Sequence, residues 1–343
     1  MTLSIRENIS LSAHTTLKTG GVARYVVEVR TVEEVVEARQ FALQTALPQL
    51  VLGGGSNVLV DDSGFAGMVI LNKLKGLQYL EHDDGTVTLI CQSGELLDDV
   101  VADTVARGYW GLENLSAIPG TVGATPVQNV GAYGVEVGNI ISKVEAYNLQ
   151  SGEHKIFSNK ECEFGYRDSF FKNKIGKKYF ITAVHIKLTK KITPQLAYAD
   201  LVKQFSSHIP TLVEVRNAII QIRSQKFPDW KVIGTAGSFF KNPIITSAQG
   251  EALRTQYPEL PQYDAGPDLV KIPLGYVLDK VCGLKGYRVG EVGLFSAQAL
   301  VLVNYGGATT AEIKNFVIDV QQKVFTKTGI NIFSEVRFVG DDK

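Results

Sequence analysis

Hydrophobic and polar positions along this chain fall into short stretches whose period switches between two residues and about 3.6 residues, the signature of strands mixed with helices. Residues 24–29 are β-branched and aromatic and predict a strand. Thr31 follows as a helix cap, with Glu34 placed to complete a capping box, and residues 50–52 predict a second strand ending on glycines. Further strands are predicted at 58–60, 68–71 and 87–91. The positions of Leu96, Val100, Val101 and Val105 predict a helix over 95–107. Residues 144–149 and 181–188 read as strands, the second alternating Ile181, Ala183, His185 and Lys187 with Thr182, Val184, Ile186 and Leu188. A helix over 212–225 stops before Pro228. The last third predicts a helix at 272–282, a strand at 299–303, a helix at 310–328 and a final strand at 332–339. No repeat or low-complexity segment interrupts the pattern.

Composition narrows the class. With 343 residues, 45% of them hydrophobic and 20% charged, the chain can bury a substantial core in two or three domains. Lys plus Arg and Asp plus Glu each number 35, so no overall basic field favours nucleic acid. The longest apolar runs, such as 181–186 and 299–303, fall far short of the roughly 20 residues a membrane helix needs. Residues 1–14 contain no apolar signal core, and the expected location is the cytoplasm. Cys91, Cys162 and Cys282 form no CxxC pair, and the scattered histidines include no HExxH, so buried thiols and no metal site are expected. His185 reads as a satisfied structural histidine. Any hard chemistry would come from an organic cofactor or from Ser, Tyr, Arg, Lys and Glu side chains.

Five segments carry candidate chemistry. Leu52-Gly53-Gly54-Gly55-Ser56-Asn57-Val58 follows a strand and suits either a tight turn or a backbone nest for phosphate oxygens; it is neither a Rossmann nor a Walker loop. Residues 116–136 hold Pro119, Gly120, Gly123, Gly131 and Gly134 among small side chains, as a long surface loop or as a bed for a flat ligand. These two glycine-rich segments favour a dinucleotide held between two subdomains. In Phe164-Gly-Tyr-Arg-Asp-Ser169, Arg167 could grip a carboxylate or pair with Asp168 to fix a turn. Ser238, in Thr235-Ala-Gly-Ser-Phe-Phe-Lys-Asn-Pro243, is either a structural turn serine or a presented hydroxyl. In residues 333–338, strand alternation puts Glu335 and Arg337 on one face, opposite Val336 and Phe338; a solvated edge strand would do the same.

The order and spacing of these strings, from about Thr16 to Val339, resemble the UDP-N-acetylenolpyruvoylglucosamine reductase family. The resemblance implies an α+β protein with an FAD-binding fold of the vanillyl-alcohol oxidase/PCMH type. Its two α+β subdomains would cover 1–76 (joined by the C-terminal strand, 330–343) and 77–216, with a C-terminal α+β substrate domain at 217–329. FAD would be held without a covalent link, since Ser56 and Asn57 stand where covalent relatives often carry His. NADPH would be the reductant and UDP-N-acetylglucosamine enolpyruvate the substrate, reduced to UDP-N-acetylmuramate for peptidoglycan by a monomer with no nucleic-acid or membrane partner.

Residue by residue, the resemblance makes Arg167, Ser238 and Glu335 the catalytic set. Hydride would pass from NADPH to FAD and then to the enolpyruvyl methylene carbon; Arg167 would bind the substrate carboxylate, Glu335 would stabilise the charge spreading onto it, and Ser238 would protonate the adjacent carbon. FAD contacts would come from Leu52, Gly53, Gly54, Gly55, Ser56, Asn57 and Val58. A second set would be Ile118, Pro119, Gly120, Gly123 and Ala124, and a third Asn129, Gly131, Ala132 and Tyr133. Arg223 and Arg337 would face the FAD diphosphate. Tyr198, Lys226, Asn242 and Gln298 would surround the UDP-sugar, with Tyr198 marking the subclass that has an extra tyrosine-bearing loop. Two other readings stay open: another FAD-dependent oxidase or dehydrogenase of the same fold, and a non-catalytic nucleotide-binding module.

Overall fold

The computed structural model describes residues 3–340, so the expected domain limits at residues 1 and 343 lie outside the described residues. The chain forms two compact units. One comprises the described part of Met1–Ile9 with Ala23–Gly54 and Ala66–Arg223; the other comprises Ser10–Val22, Gly55–Phe65 and the described part of Ser224–Lys343.

The described part of the first unit contains two larger sheets and a small two-stranded one. In a four-stranded sheet the order is Ile5–Ser10, Val22–Val29, Phe65–Asn72, Gln49–Leu52. Gln49–Leu52 runs parallel to Phe65–Asn72, with Leu52 opposite Leu71. The helix Val32–Gln44 starts where Thr31 accepts the Glu34 amide, while Glu34 returns to accept the Arg30 amide at 2.5 Å. It buries Val35, Ala38 and Ala42 against Val27, Val29, Met68 and Ile70.

An antiparallel five-stranded sheet follows, in the order His154–Ser158, Ile141–Asn148, Tyr179–Thr189, Thr86–Gln92, Leu77–Glu81. Strict alternation in Thr86–Gln92 turns Val87, Leu89 and Cys91 inward, where the helices Leu97–Ala106 and Leu212–Lys226 add Val100, Val101, Val215 and Ile219. Residues 180–184 are buried on both faces of the sheet, which is why Thr182 is as deeply placed as Ala183. His185 sets Nε2 at 2.6 Å from Glu145 Oε1, as a satisfied structural histidine does. Cys91 and Cys162 are buried; burial pushes the Cys162 thiol up to about 12, which suppresses the nucleophilic thiolate.

The second unit is built on the antiparallel sheet Gly234–Ser238, Val301–Asn304, Val292–Leu294, Arg288–Val289. Against it lies the helix Thr310–Thr328, opened by a Thr309/Glu312 capping box and closed by Gly329 at φ +69°. Asp62 adds a tertiary cap, accepting the Thr310 and Ala311 amides at 2.8 and 2.9 Å. Among the described residues no helix is long and apolar enough to cross a membrane, and no cluster of three or more His, Cys, Asp or Glu could hold a metal.

Two predicted elements differ. The helix expected over 272–282 is a short turn, Leu274–Tyr276, running into π-helical Val277–Val281, where Leu274, Val277 and Leu278 are fully buried. The wider winding ends as the Cys282 amide reaches back to the Val277 carbonyl. The strand expected over 332–339 is regular only at Arg337–Val339, which pairs in parallel with Val58–Val60. Before it the chain pairs elsewhere: the amides of Lys241 and Glu335 donate to the carbonyls of Phe333 and Phe239. One segment changing partners cannot keep one ladder.

An aromatic cluster anchors the first unit beside the candidate chemistry. Phe157, 1% exposed, has the rings of Phe170, Phe171 and Tyr179 at 5.1, 5.2 and 5.0 Å. Phe157→Ala is expected to destabilise by about 3–5 kcal/mol, read as a lower urea midpoint at unchanged denaturant slope. A loss under about 1 kcal/mol would mean the cluster closes around the gap.

Candidate active site

In the first unit the two glycine-rich segments meet backbone to backbone. Leu52 is buried at the end of its strand, and the chain then runs so close to residues 120–121 that a Cβ on Gly54 would stand 2.8 Å from Gly120 Cα. A Cβ on Gly53 would stand 2.3 Å from Thr121 Oγ1. Only glycine permits this crossing. The Thr121 hydroxyl is buried there without a hydrogen-bond partner, a polar atom facing no protein acceptor or donor.

The second segment is pinned from several sides. Leu97 N–H donates to Gly120 O, Val122 N–H to Glu95 O, and Gly123 N–H to Ser93 O at 2.8 Å, while Ala124 is exposed. Upstream of the half-buried Ile118 and Pro119, Ala117 occupies the left-handed region at φ +58°. Its amide donates to Asp98 Oδ1 at 2.6 Å, and its carbonyl accepts from Arg223 Nε at 3.1 Å. Asp98 Oδ1 also takes Arg216 Nη1 at 2.6 Å. Burial would raise the Asp98 carboxyl, but Arg216, the Ala117 amide and the charge of Arg223 together hold it below the usual carboxylate value. Burial lowers the pKa of Arg223, against support from Tyr133 and Asp98.

Asn129 (φ +47°) precedes, and Tyr133 (φ +52°) turns, a small hairpin in which Gly131 pairs with Glu136 and Ala132 with Val135. Asn129 donates to Glu136 Oε2 and Gly165 O, both at 2.9 Å, and accepts from Gly138 N–H, so both amide protons serve the protein. The Tyr133 ring meets Tyr198 edge-on at 4.9 Å. Asn114 donates to the carbonyls of Tyr133 and Gln195, both at 2.8 Å, which ties the tyrosine-bearing loop to this hairpin.

Arg167 sits in a two-residue turn between Gly165 and Asp168, whose backbones pair with each other. Its φ of +53° is the value a turn's third residue usually assigns to glycine or asparagine. A large side chain is kept there against about 1 kcal/mol or more of strain. The guanidinium Nη2 donates to Gly131 O at 2.9 Å, and Asp168 Oδ1 accepts the Ser169 amide.

The second unit brings together Ser238, Glu335, Arg337 and the rest of the first loop. Gly55, at φ +62°, packs so that a Cβ would lie 1.9 Å from His14 O, and Asn57 O accepts the Arg337 amide. Asn57 Nδ2 donates to Glu335 O at 3.4 Å, and Val58 opens the strand paired with Arg337–Val339. The ladder between Gly234–Ser238 and Val301–Asn304 shifts register between Thr235 and Ser238. This bulge, with Gly237 at φ +73°, re-aims the serine at the strand end. Beyond Ser238, Phe239 donates to Leu300 O and its carbonyl accepts the Glu335 amide at 2.8 Å, so the two candidate catalytic residues are held on adjoining backbones. Asn242 Oδ1 accepts the Leu274 amide at 2.9 Å. Gln298 Oε1 accepts the Leu300 amide at 3.4 Å, and Lys226 ends its helix half-buried.

Sequence reasoning missed Asp98, Asn114 and Lys172, whose ammonium donates to Arg167 O at 2.6 Å. Asp98 and Asn114 act across separations that no local pattern announces; Lys172, five residues past Arg167, lay within reach of a reading that asked what holds the turn.

Asp98 generates a pH prediction. Its folded-state value is depressed, so its contribution to stability is complete above the unfolded value of about 3.9 and is lost as pH falls through the folded value. Asp98→Asn is expected to unfold at lower urea than the unsubstituted protein at pH 7, with the gap shrinking at pH 3. Equal midpoints at pH 7 would remove Asp98 from this role.

Residues 23–158 match the family described as FAD binding domain, and residues 228–339 match the UDP-N-acetylenolpyruvoylglucosamine reductase, C-terminal domain. Over 347 aligned positions the chain is 40% identical to the UDP-N-acetylenolpyruvoylglucosamine reductase of Flavobacterium johnsoniae, covering 98% of this chain and 100% of that one. It is 39% identical over 339 positions to the reductase of the same name from Chromobacterium violaceum, covering 98% and 99%. The solved structure of UDP-N-acetylenolpyruvylglucosamine reductase from Thermus caldophilus aligns with a TM-score of 0.69 at 24% identity, over 98% of this chain and 100% of that one, and so shares the fold. With its FAD-binding and C-terminal regions matched in order and its relatives aligned end to end, the chain belongs to the UDP-N-acetylenolpyruvoylglucosamine reductase family.

Proposed function

We propose that this FAD-dependent oxidoreductase reduces UDP-N-acetylglucosamine enolpyruvate to UDP-N-acetylmuramate for peptidoglycan, using NADPH. The observation that carries the reading is the placement of Ser238 and Glu335 on adjoining backbones in the second unit, within a chain about 40% identical to reductases of that name. Residues in the first unit fit the cofactor: the side-chain-free crossing of Gly53 and Gly54 over Gly120 and Thr121 is a backbone cradle, and the buried Thr121 hydroxyl offers it a hydrogen bond. Gly53, Gly54, Ile118 to Gly120, Gly123 and the Asn129 to Tyr133 backbone would hold FAD in this unit, and Gly55 to Val58 and Arg337 are the remaining expected FAD contacts. Arg223, engaged by Ala117, supports the cradle and adds positive charge for the diphosphate. When bound, FAD supplies two-electron chemistry, accepting a hydride equivalent from NADPH and giving one up to an activated alkene.

The chain's own residues then have definable tasks. Hydride addition to the enolpyruvyl methylene carbon leaves negative charge on the adjacent carbon and its carboxylate. Arg167 binds that carboxylate through its planar fork, and Glu335, acting as a carboxylic acid donor, hydrogen-bonds the charge spreading onto it. Ser238 holds a proton on Oγ and delivers it to the adjacent carbon, after which solvent restores the hydroxyl. A serine is a weak acid, but an enolate is a strong base, so position decides the rate. Tyr198, Lys226, Asn242 and Gln298 would receive the UDP-sugar, with Lys226 on phosphate. The domain division that goes with this reading is FAD subdomains at 1–76 with 330–343 and at 77–216, and a substrate domain at 217–329. Both nucleotide co-substrates place the reaction in the cytoplasm, and one chain carries every residue named.

The purified protein is expected to be yellow, to bleach when NADPH is added anaerobically, and to regain colour with the enolpyruvyl substrate. Ser238→Ala is expected to bleach normally and to lose reoxidation by roughly 10²–10⁴-fold. Near-normal turnover of that variant would take the proton delivery away from Ser238.

A further inference from the structure

Arg167 has to present its guanidinium from a backbone conformation that most residues avoid. At the head of the side chain Gly131 O fixes Nη2, and a Cβ on Gly131 would come within 3.3 Å of Nη1, so the head lies directly on the hairpin. At the root, the carbonyl of Arg167 accepts a charge-assisted hydrogen bond of 2.6 Å from Lys172 Nζ. Lys172 is rigidly supplied. It ends the 3-10 turn Phe170–Lys172, whose start is fixed by Ser169: the Ser169 hydroxyl donates to Val127 O at 2.6 Å and accepts the Phe171 amide. Phe170 and Phe171 lock the same turn into the aromatic cluster around Phe157. From the other side Asn129 donates to the carbonyl of Gly165, where the turn begins.

We propose that Lys172 is a positioning residue for the reaction: its ammonium holds the Arg167 carbonyl, keeps the turn left-handed at Arg167, and thereby aims the guanidinium at the substrate carboxylate. This rests on Arg167 binding that carboxylate. Without the ammonium the peptide after Arg167 is free to rotate about ψ of Arg167, the residue can leave the left-handed region, and rotation at the root swings the head of a long side chain. Misplacement on the order of 1 Å at a charged anchor is enough to cost up to about 100-fold.

The test uses the FAD-loaded full-length protein and reads each half of the reaction separately. Lys172→Met is expected to raise KM for the enolpyruvyl substrate about tenfold or more while flavin reduction by NADPH stays within about twofold. Lys172→Arg, which keeps a charged donor, is expected to recover most of the loss. In an Arg167→Ala background, Lys172→Met should add nothing further, because it acts only through Arg167. Additive effects of the two substitutions, an unchanged KM in Lys172→Met, or a parallel loss in the NADPH half-reaction would each overturn the proposal. If Lys172→Met does not fold, Lys172→Gln takes its place with the same expectations at a smaller rise in KM. If Arg167→Ala alone leaves KM and turnover untouched, the carboxylate role of Arg167 fails and this inference falls with it; an affected Arg167→Ala beside an inert Lys172→Met sinks the Lys172 role alone.

Discussion

The first unit depends on one close approach, the crossing of two stretches of bare backbone at Gly53–Gly54 and Gly120–Thr121. Backbones pass this near each other only where no Cβ intervenes, and the reward is a surface of peptide groups on which a ligand can lie. The crossing places demands on its neighbours. Leu97, Val122 and Gly123 take backbone hydrogen bonds that leave residues 120–123 little freedom, and the segment's upstream end is clamped by two charged residues on the two peptide groups of one residue, Asp98 on the Ala117 amide and Arg223 on its carbonyl. A cradle of this kind has few large side chains to hold it rigid, so buried charge is recruited to do so.

Backbone strain also falls in this region. Ala117, Asn129, Tyr133 and Arg167 all have positive φ without being glycine, and each has a named tether: Asp98 and Arg223, the Asn129 side chain itself, Asn114, and Lys172 with Gly131. A strained residue persists when its surroundings over-determine it, and here the surroundings include hydrogen bonds between side chains and main-chain amides and carbonyls. The second unit solves its placement problem differently. A β-bulge shifts the ladder ahead of Ser238, and the segment before Arg337 leaves one strand partner for another, so that the serine and Glu335 end on adjoining backbones through the Phe239 carbonyl.

Much of this was legible in the residues. Helix 310–328 matches its predicted limits because Thr309, Glu312 and Gly329 punctuate it locally. Thr31 capped its helix as expected, and the same signal at Thr246 and Gln249, which opens the helix Ser247–Gln256, was there to be read and was not. The motif strings identified the family and nominated Arg167, Ser238 and Glu335. The failures share a cause: 272–282 widened into a π-helical turn to bury Leu274, Val277 and Leu278 together, and 332–339 broke because two different strands claimed its amides.

The sequence by itself determined which residues could bend, cap, bury or ionise, because φ preferences, side-chain size and charge are properties of each residue and its nearest neighbours. Only the tertiary structure decided that Gly54 lies on Gly120, that Asp98 and Arg223 both hold the backbone of Ala117, and that Lys172 supports the root of Arg167. Those pairings join residues whose spacing carries no period, and they exist because buried amides and carbonyls must find partners wherever packing brings their chains together.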